Sequence, residues 1–204
     1  YKYNISVVVM FRFEDDYLDE WLHYYIMNGV EHFYMYSNNN TQQTKNILEP
    51  YIQKGYITYI EWGEKNWCVS KNKRRTKWSN YSNASLQNCA FMDFNKNYKD
   101  ETKWIIKVDI DEYIYYKNGV VLLEDILNNT HKKYIEVPRI DFGNNFNIKK
   151  PIGLILENYI RSENKRSDKK SIILTEFISN KDNGNAHDFI TDDLIGNISA
   201  YFIN

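Results

Sequence analysis

Ile5-Ser6-Val7-Val8-Val9-Met10-Phe11 is an almost continuous apolar run rich in β-branched residues, as expected of a strand buried on both faces. Downstream of it, Asp15 or Asp16 can cap a helix in which Leu18, Trp21, Leu22, Tyr25 and Ile26 recur at helical spacing, with Gly29 ending it. His32 to Tyr36 reads as a second strand, followed by the polar stretch Ser37 to Gln43. Thr44 to Tyr51 reads as a short helix halted near Pro50, and Gly55 leads into a third strand from Tyr56 to Trp62. Strand, helix, strand, helix, strand at this spacing predicts βαβ units, and so an α/β fold whose sheet is mostly parallel and flanked by helices.

The pattern continues less regularly. Gly63 to Trp78 has no clear period and reads as a long loop. Ser79 to Phe94 predicts a helix, and Trp104 to Val108 a short buried strand that runs directly into Asp109. A helix from Val120 to Leu127, a strand around Tyr134 to Val137 and a strand from Ile172 to Phe177 complete the reading. No repeat or low-complexity linker interrupts the 204 residues, so one domain is expected.

Composition narrows the function classes. The formal net charge of -1 gives no global attraction to nucleic acid. The basic run Lys71-Asn72-Lys73-Arg74-Arg75-Thr76-Lys77, between Trp67 and Trp78, reads first as a solvated loop and second as a cover for a phosphate or anionic acceptor. No apolar stretch approaches the roughly 20 residues of a spanning helix. There is no signal-peptide pattern, the chain opens at Tyr1 rather than Met, and cytoplasmic and lumenal settings are equally compatible. Cys68 and Cys89 lack metal-ligand spacing and leave a single bridge open.

Chemistry concentrates in Trp104-Ile105-Ile106-Lys107-Val108-Asp109-Ile110-Asp111-Glu112-Tyr113. In an open α/β sheet, ligands bind beyond the carboxyl ends of the strands, where these three carboxylates fall. If strand geometry persists, Asp109 and Asp111 share a face and Ile110 turns away. Crowded carboxylates repel one another unless a cation is present, and Mg²⁺ or Mn²⁺ bridging to diphosphate oxygens would relieve this. A calcium loop would need Gly where Ile114 stands and a carboxylate where Val120 stands. An aspartyl-phosphate phosphatase pattern continues with Thr or Val where Glu112 stands.

The ordered blocks around this cluster are more specific. Arg12-Phe13-Glu14, Tyr17-Leu18-Asp19-Glu20-Trp21-Leu22, Asn28-Gly29-Val30-Glu31-His32-Phe33 and Tyr36 come first, then Leu48-Glu49-Pro50-Tyr51, Gly55 and Asn88-Cys89. Asp109-Ile110-Asp111-Glu112-Tyr113 follows, and Val137-Pro138, Phe142-Gly143, Pro151, Leu156-Glu157 and Lys170-Ser171-Ile172 close the series. Together they resemble the family 92 and related family 2-like glycosyltransferases over most of the chain. The resemblance implies a GT-A fold, Rossmann-like, with a nucleotide-sugar half about 1–112 and an acceptor half about 113–204.

It also implies transfer from a nucleoside diphosphate sugar, of the UDP type, to a hydroxyl of a glycan or other acceptor, with inversion. Glu14 and Ser37 would lie by the nucleotide, Asp109 by the ribose or metal, and Asp111 would be the principal ligand of Mn²⁺ or Mg²⁺. His187 is the expected late ligand. Among Asp141, Glu176 and Asp188 as catalytic base, Asp141 is preferred, since it follows Val137-Pro138-Arg139 at an expected strand end. Two departures stand out: Ser37 and Gln42 occupy places where the family often has Asp, and Phe13 replaces the usual Asn. They motivate a catalytically silent carbohydrate- or nucleotide-binding domain as the alternative, with a metal-dependent nucleotidyltransferase behind it.

Overall fold

A computed structural model describes residues 1–39, 41–66, 82–116, 122–149, 151–179, 189 and 191. The strands are β1 (Tyr3–Phe11), β2 (His32–Ser37), β3 (Ile57–Glu61), β4 (Thr102–Lys107), β5 (Tyr134–Phe142) and β6 (Ser162–Leu174). The helices are α1 (Asp15–Met27), α2 (Gln42–Gln53), α3 (Ser82–Asn97), α4 (Leu123–Asn129) and the single turn α5 (Ile155–Asn158). All six strands form one sheet in the order β3-β2-β1-β4-β6-β5. Strands β1 to β4 pair in parallel, whereas β6 runs antiparallel to both β4 and β5. Five strands therefore point one way and β6 alone points back. This is the mixed, mostly parallel sheet flanked by helices that the sequence predicts.

The apolar run in β1 is explained by its central place. Ile5, Val7, Val9 and Phe11 join a core with Leu18, Trp21, Leu22 and Tyr25 of α1 and Leu48 of α2, while Val8 faces a second core with Phe91 and Phe94 of α3. Alternate side chains serve opposite layers, so no position is left for a polar alternation.

Several boundaries differ from the sequence reading. Helix α2 begins earlier, because the Thr41 side chain accepts from the Thr44 backbone N–H, and it runs through Pro50 to Gln53. Proline forfeits one helical hydrogen bond, but Leu48 and Tyr51 on either side are buried. The Tyr51 hydroxyl also donates to Asp19 Oδ1 at 2.6 Å, so packing carries the helix past the defect. Strands β5 and β6 are longer than expected. Their polar halves extend beyond β4 as a two-stranded ribbon whose register shifts between Pro138 and Phe142. Pro138 is tolerated because β5 is an edge strand.

Gly29, with φ +89°, ends α1 where α4 crosses it, and the Glu124 N–H donates to Asn28 O at 3.2 Å. An added Cβ at Gly29 would stand 2.5 Å from Glu124 Cβ, whereas one at Gly55, with φ +80°, would meet nothing. Both alanine variants incur left-handed backbone strain, but only Gly29→Ala must also displace α4. We expect Gly55→Ala to cost about 1–2 kcal/mol and Gly29→Ala roughly 2–5 kcal/mol. Denaturant unfolding of the two variants checks this, and equal losses would show that the crossing is not rigid.

Candidate active site

The carboxyl ends of β1, β2 and β4 share one edge of the sheet. Phe11 pairs with Ser37, so β1 and β2 end level, whereas Val8 pairs with Lys107, so β4 stops three residues, about 10 Å, short of the end of β1. β2 lies two inter-strand steps, about 10 Å, to the side of β4.

Asp109 to Glu112 do not continue the strand. Lys107 is its last residue, and the Glu112 N–H donates to Asp109 O at 3.1 Å while the Asp109 N–H donates to Glu112 Oε2 at 2.9 Å. The four residues close a reciprocal turn, which corrects the expectation that Asp109 and Asp111 share a strand face. The turn is gripped from α1. Trp21 Nε1 and the Tyr25 hydroxyl both donate to Glu112 O, at 3.1 and 3.0 Å. The Tyr25 hydroxyl in turn accepts from Ile114 N–H at 3.2 Å, and the Tyr24 hydroxyl donates to Ile114 O at 2.5 Å.

The three acids then take different environments. Lys170 of β6, its side chain 5% exposed, donates to Asp109 Oδ2 at 2.7 Å and lies 2.9 Å from Glu112 Oε2. Burial opposes its charge, but Asp109 and Glu112 outweigh that and raise its pKa above the ordinary lysine value. Burial pushes the Glu112 carboxyl up, with Lys170 pulling against it. Asp111 is exposed and has no hydrogen bond or ion pair among the described residues.

Glu14 occupies the cap position of α1. Burial raises its carboxyl to about 7, against a backbone hydrogen bond from Arg12, and the charges of Asp111 and Asp109 add to the rise. Glu14, Asp109 and Asp111 thus form one electrostatic group. Phe13 just before it has φ +58°, a left-handed conformation that Asn tolerates far better than Phe. That gives a physical reason for the Asn that the resemblance implies at this position. The Arg12 guanidinium covers the Phe13 ring at 4.6 Å.

Ser37 is buried at the end of β2 and accepts from the Tyr59 hydroxyl at 2.7 Å. It lines an open cleft of about 410 Å³ with Asn39, Lys45, Tyr59, Glu61, Trp62, Gly63 and Lys65. Gln42 lies apart on the exposed side of α2, bonded to Asn46 at 3.1 Å.

The remaining sequence candidates scatter. Asp141 sits on the projecting half of β5, with Arg139 Nε 3.0 Å away. Glu176 is at the wrong end: Thr175 Oγ1 donates to Thr102 O at the start of β4, about 20 Å along the sheet from Asp109. The antiparallel course of β6, invisible to a reading without topology, is the reason. His187, Asp188, Cys68 and the basic run 71–77 lie outside the described residues, while Cys89 is disulfide-bonded. Phe189 is buried, its ring 3.8 Å from the ammonium of Lys107 at the end of β4. The sequence reading quoted Lys107 and Lys170 within longer blocks but gave them no role, and the α1 hydrogen bonds escaped it, since a lysine within a strand and aromatic residues on a helix look like ordinary packing.

Comparison with known sequences points to one family. Over 139 residues, 68% of this chain, it is 24% identical to a glycosyltransferase family 92 protein of Oryza sativa subsp. japonica. Over 130 residues, 63% of the chain, it is 21% identical to one of Ricinus communis. The matched region spans about a fifth of each relative's length (20% in both). The profile described as Glycosyltransferase family 92 matches residues 1–191, from before β1 to the last described residue, so the chain belongs to glycosyltransferase family 92.

Proposed function

We propose that this domain transfers a sugar from a nucleoside diphosphate sugar, of the UDP type, to a hydroxyl of a glycan or other acceptor, with inversion and with the help of Mn²⁺ or Mg²⁺. One observation carries the reading. The turn Asp109–Glu112 is fixed at the carboxyl edge of the sheet with Asp111 turned to solvent beside Glu14.

The donor set suits an ion shared with a diphosphate rather than a protein cage. No group of three or more His, Cys, Asp or Glu side chains able to hold a metal occurs among the described residues. Mg²⁺-type sites commonly use one or two carboxylates and take the remaining oxygens from phosphates and water. Asp111 would be the principal ligand, and Asp109, with Oδ2 engaged by Lys170, would offer its other oxygen; His187 completes the proposed set. Bound there, the ion supplies charge stabilisation to a departing diphosphate.

The cleft beside Ser37 has the hydrogen-bonding groups for the nucleoside, and Glu14 is assigned to the nucleotide as well. Ser37 in place of an acid shifts polar recognition to Glu61 and Asn39. Residues about 1–112 would hold the donor and the later part the acceptor. The Tyr113 hydroxyl, buried and without a hydrogen-bond partner, feels the charges of Glu20 and Asp111 and is available to an incoming substrate. Asp141 is assigned as base. A second assignment rests on Glu14, whose carboxyl at about 7 matches the requirement of a base at neutral pH.

Three expectations follow from these assignments. Asp111→Ala should abolish Mn²⁺-dependent release of nucleoside diphosphate from a panel of nucleotide sugars while the melting curve is retained; persistent turnover removes the metal role. Donor binding without turnover in the wild type would identify a silent binding domain, and pyrophosphate release a nucleotidyltransferase. For the base, Asp141→Asn should stop transfer without weakening donor binding, whereas Glu14→Gln should weaken donor binding and leave the pH profile of transfer unchanged. An acid limb at or below about pH 7 that vanishes in Glu14→Gln would reassign the base. Lys170→Met strands Asp109 and Glu112 without their cation and should lower stability by about 2–4 kcal/mol, discounted for the part-exposed Asp109. Added Mn²⁺ should raise the melting temperature of Lys170→Met more than that of the wild type; an equal rise contradicts the shared electrostatics.

A further inference from the structure

From Phe142, the last residue of β5, to Arg161, just before β6, the chain makes a 20-residue excursion whose described residues contribute nothing to the core. Seven of the thirteen large apolar side chains exposed among the described residues lie there, so the exposure is concentrated rather than scattered. Ile148 and Ile152 are 98% and 101% exposed. The backbone that presents them is nonetheless well tied. Gly143 N–H donates to Arg161 O at 2.9 Å, Asn145 bridges Asn158 O and Arg161 N–H at 2.8 and 3.1 Å, and the Glu20 carboxylate accepts from Ile155 and Leu156 N–H at 2.8 and 3.1 Å. The excursion is held against α1, and its apolar side chains point outward from a fixed base.

Charge accompanies the apolar groups. The excursion contains Lys149, Lys150 and Arg161 against Glu157 alone, in a chain whose net charge is -1. Lys149 stands next to Ile148, and the Arg161 guanidinium lies 5.1 Å from the Phe146 ring. A side chain exposed over essentially its whole surface is a convex tip. Such a tip offers little to a shape-matched protein surface, which needs a broad, complementary face, but it inserts readily into a deformable interface. Apolar tips beside cations suit the boundary between acyl chains and anionic headgroups.

We propose that residues 142–161 form a docking surface for an anionic lipid bilayer, with Phe146, Ile148 and Ile152 entering the interface and Lys149 and Arg161 meeting headgroup charge. This stands apart from the transfer chemistry. If both hold, α1 joins the two, since Glu20 ties the excursion to the helix that grips the acidic turn.

The test is co-sedimentation of the full chain with phosphatidylcholine vesicles, with and without phosphatidylserine. Binding should require phosphatidylserine and weaken as salt is raised, because surface charge is screened. It should fall by at least about tenfold in Ile148→Glu/Ile152→Glu. Both positions are fully exposed, so unchanged melting of the variant separates lost docking from misfolding, and Lys149→Glu gives a second, milder reduction. Absence of vesicle binding at low salt overturns the proposal, as does binding that the double variant leaves intact. Concentration-dependent dimers by light scattering that the same substitutions abolish, without vesicle binding, would assign the surface to a second copy instead.

Discussion

The carbonyl of Glu112 is the joint on which the site depends. Two donors from α1, Trp21 Nε1 and the Tyr25 hydroxyl, converge on that one oxygen. A turn carrying three carboxylates in four residues tends to spring open, since each charge repels the next and each buried polar group must find a partner. Here the backbone is satisfied from the helix in front of the sheet and by its own reciprocal Asp109–Glu112 hydrogen bonds. The side-chain charge is met by Lys170 from the strand behind. The acid left unengaged is Asp111, the one that faces solvent. Held in this way, Asp111 is ordered on folding, so a ligand that engages it does not have to meet that ordering cost.

Much of the framework was legible because its physics is local. Ile5 to Phe11 has one environment available to it, and the helical spacing of Leu18, Trp21, Leu22 and Tyr25 allows one face. Those elements appear as read, with ends shifted by a few residues. The acidic residues were legible as a cluster for the same reason. Their geometry was not. Whether Asp109 and Asp111 lie on one strand face depends on whether β4 continues past Lys107, and Glu112 decides that by folding back onto the Asp109 N–H. The polar half of β6, Ser162 to Lys169, gave no strand signal because it contains no apolar residue and so no alternation to read, while its ribbon pairs with β5 beyond β4. Pro50 misled in the opposite direction, since a breaker near the end of a helix yields to two well-buried neighbours.

Phe13 shows how a departure from a related pattern becomes interpretable once the backbone is known. The chain must turn sharply between β1 and α1 to deliver Glu14 to the acidic turn, and the residue before it takes a left-handed conformation. Asn does this at little cost, because its short polar side chain tolerates the region. Phe must be supported, and the neighbouring Arg12 guanidinium stacked on its ring is the support visible here. With Phe13 at this turn, the loop before Glu14 shows a ligand an aromatic face and a cation, where the resemblance implies an amide.

The reversal of β6 links these features. Only a strand running against β4 can start outside the sheet, pass the carboxyl edge and still pair with Trp104 to Ile106. That course sets Lys170 beside Asp109 while leaving the earlier part of β6 to pair with β5 beyond the sheet. The same course that neutralises the acidic turn also carries the chain out to the apolar excursion and back, and Glu20 fastens that excursion to the helix that grips the turn. The electrostatic core of the site and the surface that flanks it are consequently built on one helix and one strand. A substitution that loosened α1 would disturb both together, whereas one confined to the tip would leave the acids where they are.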